Sequence, residues 1–168
     1  DKAGQFSREA WKKCCDFGIT GFPFPAEYGG SDGDIVTTTA MMEALGYGCK
    51  DAGLLFSINA QMWSVMMPIW RFGNDEQKQR YLPSLCSGEI LGAHGMSEPD
   101  SGSDAFSLRS TAVKDGDNYV LNGVKTWCSN APVGDVFIIF ANTDKMGGFM
   151  GVTAFVVLAP SEVNRTLD

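Results

Sequence analysis

The sequence predicts an α+β chain in which a helical part is followed by a β-rich part, the two meeting near Gly88–Gly95. Three observations carry that reading. Before Gly88, apolar residues recur at helical spacing behind capping residues. After it, β-branched and aromatic residues gather in short continuous runs. Glycine makes up 20 of 168 residues, about 12% against a usual share of roughly 7%, which demands many tight loops.

Taken in order, Ser7 is placed to cap a first helix, with Phe6 and Trp11 at the two positions of a hydrophobic staple around it. That helix ends near Phe17, where Gly18 supplies a left-handed residue. Residues 21–33, with Pro23, Pro25, Gly29 and Gly30, read as a turn-rich connection. Asp34 caps a second helix with the stripe Ile35, Thr38, Met42 and Leu45. Asp51 caps a third that runs towards Trp70 and is expected to be kinked or interrupted near Pro68. Asn74, with Asp75 and Glu76 in the first turn, opens a fourth, and Gly88 closes the helical part. Beyond it, Asn118–Leu121 and Val124–Trp127 flank Asn122-Gly123, which predicts a hairpin. Residues 135–141 and 152–158 read as strands buried on both faces.

Composition excludes several classes of function. Twenty acidic residues against 13 basic ones leave a formal charge of −7, the opposite of what a nucleic-acid surface needs. Apolar residues at 44% and charged ones at 20% describe a chain that folds. Residues 52–70 form the longest uncharged run, but Ser57, Asn59, Gln61, Ser64 and Pro68 make it a buried amphipathic helix rather than a membrane span. No signal peptide is expected, since no basic stretch precedes an apolar one at the start. Five cysteines without C-x-x-C spacing suit free thiols. His94 is the one histidine, so no two-histidine zinc site is expected.

Two segments can carry chemistry. In Ser97-Glu98-Pro99-Asp100-Ser101-Gly102-Ser103-Asp104, Gly102 lets backbone approach a ligand and three serines offer hydroxyls. The same residues would also make a self-satisfied turn ending in an Asp cap. In Asn122–Asn130, Trp127 beside Ser129 could stack on a flat cofactor, although a lone Trp more often packs a core. The stripe Met62, Met66 and Met67 with Trp63 and Trp70 reads as core, with an acyl-chain wall as the alternative. Gly46-Tyr47-Gly48 lacks the third glycine of a dinucleotide loop and follows a helix, so it is set aside.

Four segments together resemble one family. Gly21–Gly30 (GFPFPAEYGG), Gly73–Gly88 (GNDEQKQRYLPSLCSG), Ala93–Asp104 (AHGMSEPDSGSD) and Asn122–Asn130 (NGVKTWCSN) are similar, in order and spacing, to motifs of the FAD-dependent acyl-CoA dehydrogenases. The resemblance implies an all-α helical domain over residues 1–90, incomplete at its start, and a β-barrel-like or sandwich domain over 91–168, incomplete at its end. The family's C-terminal four-helix domain is then missing. It further implies that His94–Ser103 line FAD, with Met96 and Ser97 bonding the isoalloxazine edge. Gly102 belongs to that lining, and Ser103 also serves the thioester side. Trp127 and Cys128 would lie against the flavin, and Ser129 would stand near its N5. The sequence departs from the family pattern at His94, Cys128, Ser97 and Ser129, the two serines replacing threonines while keeping their hydroxyls.

The implied reaction is α,β-dehydrogenation of an acyl-CoA thioester, with an acyl-carrier-protein thioester or a non-catalytic subunit of a larger assembly as alternatives. An electron-transfer flavoprotein or another acceptor, a homo-oligomeric state, a role in fatty acid metabolism and a cytoplasmic or mitochondrial-matrix location are also implied. None of Glu27, Glu43, Glu89 and Glu98 matches the family's catalytic glutamate, so the base is expected in the missing domain. Residues 1–168 alone are accordingly expected to be inactive.

Overall fold

A computed structural model describes residues 4–159; the outer ends of the two predicted domains, 1–3 and 160–168, lie outside the described residues. The chain divides into two compact units, the first ending at Gly92 and the second beginning at Ala93.

The first unit is helical: α1 (Arg8–Asp16), α2 (Ile35–Gly48), α3 (Ala52–Asn59), a π-helical segment (Ala60–Met66), α4 (Met67–Phe72) and α5 (Asp75–Cys86). Each helix expected from a capping residue starts where that residue stands. Ser7 Oγ accepts from Ala10 N, Asp34 from Thr37 N, Asp51 from Leu54 N and Asn74 from Gln77 N. At Asn74 the cap is reciprocal, because Gln77 Oε1 accepts from Asn74 N at 3.0 Å. The Phe6 and Trp11 rings lie 5.7 Å apart, which makes the staple. Gly18 and Gly88 adopt φ of +88° and +70° after α1 and α5. A side chain at Gly88 would collide with Cys15, so that turn also needs glycine for space.

Two helical expectations are refined. The third helix is interrupted just ahead of Pro68, but without ending: α3 passes into α4 through seven π-helical residues, and Met67 N donates to Met62 O, five residues back. Proline has no N–H to give to the carbonyl four residues earlier, and its ring clashes there. A wider turn just upstream removes both conflicts without ending the helix. The α2 stripe is also narrower than expected, with Thr38 and Met42 buried but Ile35 exposed.

The core of this unit collects Phe24, Ile58, Met62, Val65, Met66, Leu82, Leu85 and Leu91, all without solvent exposure. Met62 and Met66 are therefore core residues, each contributing about 1.5–3 kcal/mol by burial. Among the described residues no helix is long and apolar enough to cross a membrane.

The second unit is a mixed five-stranded sheet made of β1 (Gly92–Gly95), β2 (Thr111–Asp115), β3 (Asn118–Asn122), β4 (Val136–Asn142) and β5 (Val152–Leu158). The central strand is β4. It pairs with β1, with β5 along an antiparallel ladder from Val136↔Leu158 to Asn142↔Val152, and with β2 in parallel at Thr111↔Asn142.

The expected hairpin at Asn122-Gly123 does not form. The chain reverses between β2 and β3 at Gly116-Asp117, with Gly116 at φ +58°, and residues 123–126 leave the sheet. Gly123, at φ +152°, passes so close to Ser110 that a Cβ there would collide with it. Val124–Trp127 is thus loop, not strand. Nor is either long strand buried on both faces: Val136, Ile138 and Ala141 of β4 are buried but Phe137, Ile139 and Phe140 are half-buried, and every residue of β5 keeps some exposure.

Candidate functional site

β1 delivers the chain to the serine-rich bend. There Glu98 and Ser101 exchange backbone hydrogen bonds at 2.7 and 3.2 Å, Ser101 Oγ donates to Asp104 O at 2.8 Å, and the Ser107 hydroxyl bonds the Asp104 carboxylate. These bonds bear out the self-satisfied turn for Ser101, whereas the Asp104 carboxylate holds the Ser107 hydroxyl and caps no backbone N–H. They leave Ser97 half-buried and Gly102 and Ser103 exposed. A Cβ at Gly102 would meet no protein atom within 4 Å, so nothing in the chain itself demands glycine there.

β3 delivers the second segment. Lys125 and Thr126 turn inward, and Trp127 turns out, 91% exposed, at φ +58°. Trp127 therefore packs into no core formed by the described residues. A bulky side chain in the left-handed region is uncommon and costs backbone energy. Cys128 is half-buried with its sulfur 3.9 Å from Thr126 O, and Ser129 is half-buried beside it. Burial pushes the Cys128 thiol pKa up, partly opposed by the nearby Lys125 ammonium. Asn130, buried, is a second residue in the left-handed region, at φ +65°.

The structure brings the two segments together. Thr126 N donates to Ser97 O at 2.9 Å, and Lys125 Nζ donates to Met96 O at 3.1 Å and to Glu98 Oε1 at 2.7 Å. Glu98 also accepts the backbone N–H groups of Arg109 (2.5 Å) and Ser110 (2.9 Å). Burial alone would raise the Glu98 pKa. The Lys125 ammonium and the backbone N–H donors overcome it and hold the carboxyl at about 2. This carboxylate stays ionised and is already engaged three times over.

Met96, Ser97, Trp127, Cys128 and Ser129 thus stand on adjoining loops, with Gly102 and Ser103 at the exposed end of the first. Among the described residues, the Ser97, Ser103 and Ser129 hydroxyls bond no protein group. Thr126 Oγ1 is buried there without a hydrogen-bond partner, as is Ser110 Oγ beside Gly123. His94 is half-buried on β1 and meets Phe140 edge to face at 5.5 Å. Burial, and then Lys125, keeps its imidazole pKa below the ordinary value.

Sequence reasoning missed Lys125 as a site residue and took Glu98 only as part of its loop. The available signal was Lys125, the one charged residue of Asn122–Asn130, set against the acidic Ala93–Asp104 motif that carries Glu98.

Comparison with known proteins follows the same division. Residues 1–89 match the sequence model of the acyl-CoA dehydrogenase N-terminal domain, and residues 93–166 match that of its middle domain. An L-prolyl-[peptidyl-carrier protein] dehydrogenase of Serratia sp. is 42% identical over 151 residues, which cover 90% of this chain and 39% of the relative. A crystal structure of the prolyl acyl carrier protein oxidase AnaB superimposes with a TM-score of 0.91 at 49% identity, covering 94% of this chain and 42% of that one. The FAD complex of PigA does so with a TM-score of 0.87 at 42% identity, over 91% and 40% of the two chains. The chain therefore spans about two fifths of the length of the relatives it matches. Its two domain matches, in the order and at the boundary where the structure divides, make this chain a member of the acyl-CoA dehydrogenase family.

Proposed function

We propose that this chain is part of a flavoprotein that removes two hydrogens across the α,β bond of an acyl thioester, and that its two adjoining loops hold FAD. The observation that carries the reading is Trp127: an exposed indole kept in a costly backbone conformation, hydrogen-bonded through its neighbour to the serine-bearing bend. The residues fit the cofactor. A flat ring system would cover the indole, the bend at Gly102 offers open space for a close approach, and three serine hydroxyls are uncommitted. A family relative is known as an FAD complex.

FAD, when bound, supplies the acceptor for the two electrons taken from the acyl chain. Met96 and Ser97 would bond the ring's polar edge, Trp127 and Cys128 would wall one side, and Ser129 would place a hydroxyl near the reacting position. Ser103 would serve the thioester side. His94, set edge-on to Phe140, would support the loop from β1. A thioester α-C–H is a weak acid, so its carbonyl must accept hydrogen bonds as negative charge develops. The α-proton needs a base, and Glu98 cannot be it, because its carboxylate is held at a pKa of about 2 by three donors. We place the base outside residues 1–168 and expect this piece alone to turn over no substrate.

For the acyl carrier there are two readings. The family's description favours a CoA thioester, while the relatives at 42% and 49% identity act on prolyl groups attached to a carrier protein. Those relatives favour a carrier-bound thioester, and electrons would pass to an electron-transfer flavoprotein or another acceptor. The protein would work as a homo-oligomer in the cytoplasm, or in the matrix of a mitochondrion. Anaerobic mixing of the purified full-length protein with acyl-CoA thioesters of several lengths, and separately with prolyl-loaded carrier protein, should bleach the flavin absorbance with one class. Bleaching by neither class would remove the dehydrogenase reading, and purified protein devoid of flavin would support the non-catalytic subunit instead.

A further inference from the structure

Each of the two motif loops contributes one member of a buried ion pair that the proposed chemistry leaves unused. The side chains of Lys125 and Glu98 are 9% and 5% exposed, and their charged atoms lie 2.7 Å apart. Through Met96 O, Arg109 N and Ser110 N, the pair gathers residues 96–98, 109–110 and 125 around itself.

Two details point beyond packing. Lys125 Nζ donates to the carbonyl of the Met96–Ser97 peptide, while the N–H of that peptide, on Ser97, has no acceptor among the described residues. The two ends of a peptide group are conjugated, so a charge-assisted hydrogen bond at the oxygen makes its N–H a stronger donor. Lys125 also stands two residues before Trp127, whose left-handed backbone holds only if the surrounding loop is over-determined.

From this we infer that Lys125 and Glu98 are a positioning pair for the flavin: they lock the spacing of the two loops and sharpen the Ser97 N–H as a donor to the ring. The inference rests on the FAD reading above. Neither side chain need touch the ring; both act through the Met96–Ser97 peptide and the loop that ends in Trp127.

The test uses the full-length protein and three variants: Lys125→Met, Glu98→Gln and the double variant Glu98→Gln/Lys125→Met. Three quantities are read: the FAD dissociation constant, the reduction potential of bound flavin, and amide hydrogen exchange over residues 92–103 and 122–131 with FAD removed. Lys125→Met strands a carboxylate and is expected to lower the potential; Glu98→Gln strands an ammonium and is expected to raise it. A pair serving stability alone would move both potentials in one direction or leave them, and either result overturns the inference. The double variant carries no stranded charge, so it keeps the measurement available where a single variant does not fold. It is expected to bind FAD roughly tenfold more weakly and to exchange faster at 96–103. Wild-type affinity in the double variant overturns the inference. Should the wild-type protein hold no flavin, the FAD reading fails separately; unchanged exchange at 96–103 and 125–130 would then also reject the locking role, and faster exchange would sustain it.

Discussion

Trp127 carries a backbone cost that its own packing does not offset. A non-glycine residue at φ +58° loses about 1–3 kcal/mol, and an indole 91% exposed recovers little by burial. Replacing Trp127 with Gly should therefore leave FAD-free protein as stable, or about 1 kcal/mol more stable, in urea unfolding. The same change should weaken FAD binding by the full-length protein. A loss of FAD-free stability would show that the indole is structural after all. Glu98 sets the complementary expectation. Its pKa is about 2 in the fold, against 4.5 ordinarily, so the depressed carboxyl contributes stability that is complete above pH 4.5. That contribution, on the order of 3 kcal/mol, is lost as pH falls from 4.5 towards 2. An acid titration followed by circular dichroism should show this slope, and Glu98→Gln should flatten it.

At the level of elements, the helix starts were legible because capping is local chemistry. Ser7, Asp34, Asp51 and Asn74 each satisfy an N–H three residues on, whatever the rest of the chain does. The interruption near Pro68 was legible, but its π form was not, since it answers a conflict between Pro68 and a helix whose continuation is set by burial on both sides of it. Gln61 within that segment is fully buried; its amide donates to Leu85 O at 2.9 Å and accepts from Gly92 N at 2.8 Å. Gln61→Met keeps the volume but takes that partner from both groups. It should cost roughly 2–4 kcal/mol in thermal or urea unfolding, whereas half-buried Gln77→Met should cost about 1 kcal/mol through the lost cap. The hairpin was misplaced for a related reason. Asn122-Gly123 and Gly116-Asp117 are both acceptable turn pairs, and the local chain does not choose between them. Contact of Gly123 with Ser110, and the pull of Glu98 on Lys125, took residues 123–126 out of the sheet.

At the scale of the whole chain, the charge of −7 and the exposed apolar side chains act against each other. Ile35, Val36, Tyr47, Phe56 and Phe72 are all exposed in the helical unit. Like charge keeps copies apart at neutral pH, and that repulsion vanishes near the isoelectric point of about 4.6. Light scattering across pH should find a solubility minimum for residues 1–168 close to that value, and added salt at pH 7 should promote association by screening the same charge.

Local chemistry written in the sequence determined the capped helices, the strand-rich second half, the family, and the two loops in which the candidate site lies. Each of these depends on neighbours a few residues away, or on a motif whose spacing is itself the signal. Tertiary structure alone decided that Trp127 faces outward, that the bend at 97–104 satisfies its own inner half, and that Lys125 meets Glu98 out of solvent. Those outcomes follow from which loop is pressed against which, and desolvation, which lifts or sinks a pKa and strands or satisfies a hydroxyl, exists only once the chain has closed on itself.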